Sequence, residues 1–152
     1  MNLGARCRIE IAESKRLLDK VGAAARKALT LQGIDIRRTA KRSMKNGKDG
    51  RPSAPGSPPH RVTGLLADFL LWRYDAGPMS IVVGPVLLSG SKNTSPTIPE
   101  ILETGGVEVA IVKRGKEWQR RPVAIAPRPY MAPALKRSQE KLSQFWANSL
   151  TT

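Results

Sequence analysis

The chain carries one histidine, His60, and one cysteine, Cys7, and these two residues bound the chemistry available to it. A zinc or iron centre built from His and Cys needs more ligands than this pair supplies. As a nucleophile–base couple, Cys7 and His60 lack any surrounding nucleophile motif, and a surface Cys7 is the plainer reading. Glu100 and Glu103 are spaced to share one face of a helix, whereas the acids of a glycosidase must flank a bond. A capping or surface role is therefore expected for them. Gly47, Gly50 and Gly56 fit neither the Walker nor the dinucleotide spacing, and prolines interrupt them. The residues argue against an enzyme, and neither cofactor nor metal is expected.

The charged side chains say more. The formal net charge is +14, beyond the magnitude of about 2–8 that solubility alone requires of a small domain. One concentration lies in the first third of the chain, where Arg37, Arg38, Lys41, Arg42 and Lys45 crowd a helical segment. A second, Lys113, Arg114, Lys116, Arg120 and Arg121, falls on a single hairpin. Both suit phosphates or acidic protein surfaces, through charge and without base readout. No zinc finger, RRM signature or leucine zipper accompanies them. Trp72 and Trp146 read as core or interface anchors. Trp118 differs, because Lys116, Arg120 and Arg121 flank it at the hairpin.

The elements that must position these residues follow from periodicity. With 152 residues, 40% hydrophobic and 25% charged, the chain is expected to form one domain, residues 1–152, with its own core. Neither a signal peptide nor a membrane span is expected, and a lone cysteine suits a reducing cytoplasm. Apolar residues from Leu17 to Met44 recur at three- and four-residue steps, predicting a helix from about Glu13 to Met44, capped by Ser14 and stopped at Asn46-Gly47. Gly22 and Gly33 weaken it, and the Gly33-Ile34-Asp35 region is where a break would fall.

Residues 46–62, rich in proline and glycine, predict an extended arm or loop. Leu65 to Tyr74 reads as a short helical turn leading into a strand. Asp75 to Pro78 makes a turn, and Ser80 to Gly84 a β-branched strand. A second loop spans Ser89 to Pro99, before a short helix through Glu103 that Gly105-Gly106 ends. Val107 to Val112 and Val123 to Ala126 read as strands either side of a polar tip at Lys113 to Arg121. A closing helix starts at Tyr130 or Met131 and carries Leu135, Leu142, Phe145 and Trp146 on one face. The fold expected is α+β: a long N-terminal helix, a small antiparallel sheet of about four strands and a C-terminal helix.

Three motifs stand out in fixed order. The first is Ala54-Pro55-Gly56-Ser57-Pro58-Pro59 running through His60, Arg61 and Val62 into Thr63-Gly64-Leu65-Leu66. The second is Leu102-Glu103-Thr104-Gly105. The third is Arg128-Pro129-Tyr130-Met131-Ala132-Pro133-Ala134-Leu135. Physically, Thr63 can cap the helix after it, Gly64 allows close backbone approach, and Glu103 can pair with a basic neighbour. Pro133 suits a first helical turn, where a missing amide costs little.

In order and spacing this set, with Val83-Gly84 between the first and second motifs, resembles the neck or tail-completion proteins that join head to tail in tailed bacteriophages. Two departures are visible. Ala67-Asp68-Phe69 stands where arginines commonly follow Thr-Gly-x-Leu, and Ser89 to Pro99 lacks the usual Tyr-Ala-x-Tyr lead-in. The resemblance implies a structural virion protein of the head–tail connector, assembled in the host cytoplasm as a homo-oligomeric ring. Six-fold closure is preferred and twelve-fold is the alternative. Its implied partners are portal or adaptor proteins, a tail terminator or tail tube, and genomic DNA passing nonspecifically. Pro55, Pro58, Pro59, Trp118, Arg128 and Tyr130 are the expected intersubunit contacts. The two basic groups would face the DNA channel or acidic partners. The rival expectation is a basic, sequence-nonspecific nucleic-acid-binding protein acting as monomer or dimer.

Overall fold

A computed structural model describes residues 3–47, 51–86, 98–114 and 117–150 of the chain, without the side chains of 3–12, 110, 112–114, 148 and 150. The fold is α+β. Helix α1 runs Leu3–Ser43, followed by α2 Leu65–Asp68, β1 Leu70–Asp75, β2 Ser80–Pro85, α3 Ile98–Thr104, β3 Gly106–Arg114, β4 Glu117–Ile125, α4 Met131–Gln139 and α5 Leu142–Leu150. The loop expected at Ser89 to Pro99 lies largely outside the described residues. Among the described residues, no helix is long and apolar enough to cross a membrane.

Helix α1 is continuous through Gly33 and begins well before Glu13, so Ser14 lies inside it rather than capping it. At 1.5 Å per residue, its 41 residues span about 60 Å. Its C-terminal half is the floor of the core. Ile36, Ala40 and Met44, one turn apart, are buried with Ala67, Leu70, Tyr130 and Ala134. Ala24, Ala25 and Ala28 are buried farther up the helix, and α4 and α5 both pack along it. Gly33 survives in mid-helix because the β1–β2 hairpin needs the space. A Cβ there would overlap the Ile81 side chain and meet Trp72 Cβ at 3.7 Å. Before Ala24 the helix leaves the body, and Leu17, Leu18 and Val21 are exposed.

The four strands form two separate ribbons, not one sheet. β1 pairs antiparallel with β2, from Leu70 opposite Pro85 to Asp75 opposite Ser80. β3 pairs with β4, from Gly106 opposite Ile125 to Arg114 opposite Glu117. Hairpin pairing is local, whereas joining two hairpins is a long-range choice that alternation in sequence does not report. The first ribbon is covered by α1. The second is solvated, which corrects the expected polar tip: Glu117 to Arg121 belong to β4, since polar residues do not interrupt a strand that has water on its face. Pro122, opposite Val109, is tolerated because both strands of a ribbon are edges.

The single closing helix divides into α4 and α5 at Glu140-Lys141. Here the Lys141 amide donates to Ser138 O at 3.1 Å, a tightened turn, and its ammonium reaches Asp35 of α1 at 3.1 Å. Helix α2 takes Gly64, at φ 81°, as its N-cap, with no side-chain cap from Thr63.

Two glycine substitutions separate packing from propensity. Nothing lies within 4 Å of a Cβ at Gly22, so Gly22→Ala should stabilise by about 0.5–1 kcal/mol and raise the melting temperature by about 2–4 °C. Gly33→Ala should lower it, because overpacking against Ile81 costs about 1–3 kcal/mol and exceeds the helical gain. Thermal denaturation followed by circular dichroism checks both.

Candidate functional site

The three sequence motifs meet in space around the N-terminus of α4. An α-helix opens with amide donors that have no partner inside it. Here one carboxylate takes them. Glu103 Oε2 accepts from the amides of Tyr130 at 3.0 Å and Met131 at 3.1 Å, and Oε1 accepts from Ala132 at 2.8 Å. The next residue is Pro133, which has no N–H to satisfy. The negative charge also lies at the positive end of the helix dipole. Glu103 thus caps a helix nearly thirty residues away, and among the described residues no salt bridge to a cation is formed by it.

Helix α3 is built to deliver that carboxylate. It ends at Gly105, whose amide donates to Ile101 O at 2.8 Å and whose φ is 79°. A Cβ there would sit 3.0 Å from Pro127 Cδ and 3.3 Å from Ile125 O, so the glycine serves both the turn and the close approach. Alongside, the Arg128 amide donates to Leu102 O at 2.6 Å. Tyr130, 1% exposed, fills the core beneath the cap. Its phenol is pushed up to about 12, first by burial and second by the Glu103 charge.

The proline loop is tied to the same point. Ala54 to Ser57 make a β-turn with Pro55 and Gly56 at its centre, closed by Ser57 N to Ala54 O at 3.1 Å with Gly56 at φ 77°, which is the type II pattern. Gly56 N donates to Pro127 O at 2.8 Å, and Arg128 Nε donates to Ser53 O at 3.0 Å while its Nη1 donates to Ala126 O at 3.2 Å. Farther on, Arg61 N donates to Lys45 O at 2.8 Å. Within this chain, the described part of the loop folds back onto the body rather than reaching away as an arm.

Beside these ties lies an open cleft of about 310 Å³. Met44, Leu66 and Leu102 supply apolar wall, and Ser53, Arg61 and Arg128 supply polar groups. His60 also lines it, with Nδ1 3.1 Å from Arg51 O. The Ser53 side chain is buried, and its hydroxyl has no hydrogen-bond partner among the described residues. The sequence carried no signal for Ser53, which is visible only through its burial.

The basic helix divides by function. Arg37 donates through Nε to Leu70 O at 2.6 Å, holding β1 against α1, and Lys41 pairs with Asp68 at 3.1 Å. Arg61 reaches the same carboxylate at 3.6 Å. Arg38, Arg42 and Lys45 face solvent. On the second ribbon, Arg120 and Arg121 are exposed on opposite faces. The side chains of Lys113 and Arg114, and all of Lys116, lie outside the described residues. Of the expected intersubunit contacts, Pro55 and Trp118 are exposed and Pro58 is half-buried. Pro59 and Tyr130 are buried within the chain, and Arg128 is bound to the loop.

Among the described residues, no three of His, Cys, Asp and Glu gather as a metal cluster would require. No family model, curated protein or solved structure matches this chain.

Glu103→Ala removes the acceptor of three amides, at a cost of about 2–4 kcal/mol. Urea unfolding should show that loss with the m-value unchanged. The Tyr130 phenol has a folded pKa of about 12 against an ordinary 10.0. Its contribution to stability is complete below pH 10 and lost as pH rises towards 12. In Tyr74→Phe, the tyrosinate ultraviolet band should therefore appear together with alkaline unfolding, not before it.

Proposed function

We propose that this chain is a structural joining protein of the neck of a tailed bacteriophage, working as a homo-oligomeric ring through which DNA passes. The observation that carries the reading is the apolar surface held away from the body. On the β3–β4 ribbon, directly opposed residues share a face. That places Val107, Val109, Ile111, Trp118, Pro122 and Ala124 on one face, all exposed, with Val109 at 57%, Ile111 at 62% and Trp118 at 69%, and with the exposed Arg120 among them opposite Ile111. The projecting end of α1 adds Leu17 at 63% and Leu18 at 71%. A protein that works alone seldom presents so many exposed apolar side chains on two elements away from its core, whereas an assembling subunit requires them.

The motif set supports the reading in a second way. Its three parts interlock at one point, so their order and spacing are demanded by a single packing arrangement. Head-to-tail contacts that close by rotation would make the ring, six-fold by preference and twelve-fold as the alternative. Portal or adaptor would lie on one side and tail terminator or tail tube on the other. The exposed Arg38, Arg42 and Lys45 are the α1 cations available to passing DNA, through sequence-blind phosphate contacts. The rival, a monomeric or dimeric nucleic-acid binder, is weakened by the structural use of Arg37 and Lys41.

Cryo-electron microscopy of particles, or of the purified chain, tests the reading. Ring density between portal and tail is expected. Absence from particles together with tight binding to free nucleic acid would favour the rival. Val109→Glu with Ile111→Glu should leave a folded monomer, since both side chains are solvated, and abolish the ring. Arg38→Gln with Arg42→Gln should lower the salt slope of DNA binding by about 2 without changing the melting temperature.

A further inference from the structure

The cleft beside the motif junction has a chemistry of its own. Among the described residues, its ionisable lining groups are His60, Arg61 and Arg128, and no carboxylate lines it. Asp68 engages the Arg61 guanidinium only at 3.6 Å and is shared with Lys41. Arg128 directs Nε and Nη1 to main-chain oxygens, leaving further donors of its planar fork for an incoming acceptor. Ser53, only 4% exposed, lines the same space, and its buried hydroxyl has no hydrogen-bond partner among the described residues. Buried hydroxyls are ordinarily hydrogen-bonded, so an unpartnered one at a cleft wall marks a place where a partner fits.

The remaining wall is apolar. Met44, Leu66 and Leu102 face the space, an arrangement that free phosphate or a nucleic-acid backbone would not use. At about 310 Å³, the cleft falls at the small end of ligand sites, with room for one or two side chains. We infer that it is a docking site for an acidic peptide segment of another protein, taking a carboxylate on the Ser53–Arg61–Arg128 side and an adjacent aliphatic or aromatic side chain on the Met44–Leu66–Leu102 side. Charge selects the source. This chain carries +14, and the cleft itself presents His60, Arg61 and Arg128, so an acidic segment is attracted to it. The inference stands independently of the ring and of the neck assignment.

The test uses the full chain labelled with nitrogen-15 and a blocked pentapeptide, acetyl-Gly-Leu-Asp-Leu-Gly-amide, followed by amide chemical shifts. Saturable shifts are expected at Ser53, Gly64, Ala67 and Leu102. The counterpart peptide with Asn in place of Asp should bind about tenfold more weakly, the loss of one charge-assisted contact. Arg61→Gln should weaken the acidic peptide about tenfold with the melting temperature unchanged, because its exposed pairing with Asp68 contributes little to stability. Ser53→Ala provides a second variant, since truncating an unpartnered hydroxyl leaves the fold intact and should still reduce affinity. Equal binding of the Asn peptide, or no saturable shift, would overturn the inference. So would inorganic phosphate moving the same resonances as strongly, which would make the cleft a simple anion site for nucleic acid.

Discussion

The Glu103 carboxylate at the start of α4 is the constraint on which the arrangement turns. One side chain satisfies the amides of Tyr130, Met131 and Ala132, and Pro133 removes the need for a fourth acceptor. Because the donors and the acceptor come from different elements, α4 can begin only where α3 ends. That fixes Arg128, two residues before the capped turn, between the Leu102 carbonyl and the proline loop. Tyr130 and Ala134 are then carried into the core against Ile36, Ala40 and Met44. Without the carboxylate, partly buried amides would have neither helical nor side-chain partners, and unmade hydrogen bonds of this kind cost more than made ones contribute.

Polar pins matter here because the core is thin. Among the described residues, six of the eleven buried apolar side chains are alanine, and each removes little area from water. Alanines permit α1 to approach its neighbours closely, as Gly33 does for the β1–β2 ribbon, but they contribute little transfer energy. Several larger apolar residues, among them Leu17, Leu18, Val109 and Ile111, stand instead on the projecting end of α1 and on the β3–β4 ribbon, in water. The same economy divides the basic helix, where Arg37 and Lys41 hold the chain together and Arg38 and Arg42 remain outside.

Much of this was legible locally. The three- and four-residue recurrence of apolar positions predicts α1, Pro55-Gly56 predicts the turn that forms, and Gly105 predicts the end of α3. Each depends on backbone preferences of a few neighbouring residues. The site was legible only in outline, as motifs without a meeting point. Glu103 could be assigned a cap or a cation, and no local rule chooses an acceptor for amides so distant along the chain. Ser53 and the separation of the two ribbons left no trace in periodicity.

The amino-acid sequence by itself determined the element types, the tight turns and the positive charge, because these follow from local sterics, apolar spacing and composition. Only the tertiary structure decided which arginines are structural, which strands share a ribbon and which amides Glu103 receives. Those outcomes depend on distances between residues far apart in the chain, and such distances exist only after the core has closed.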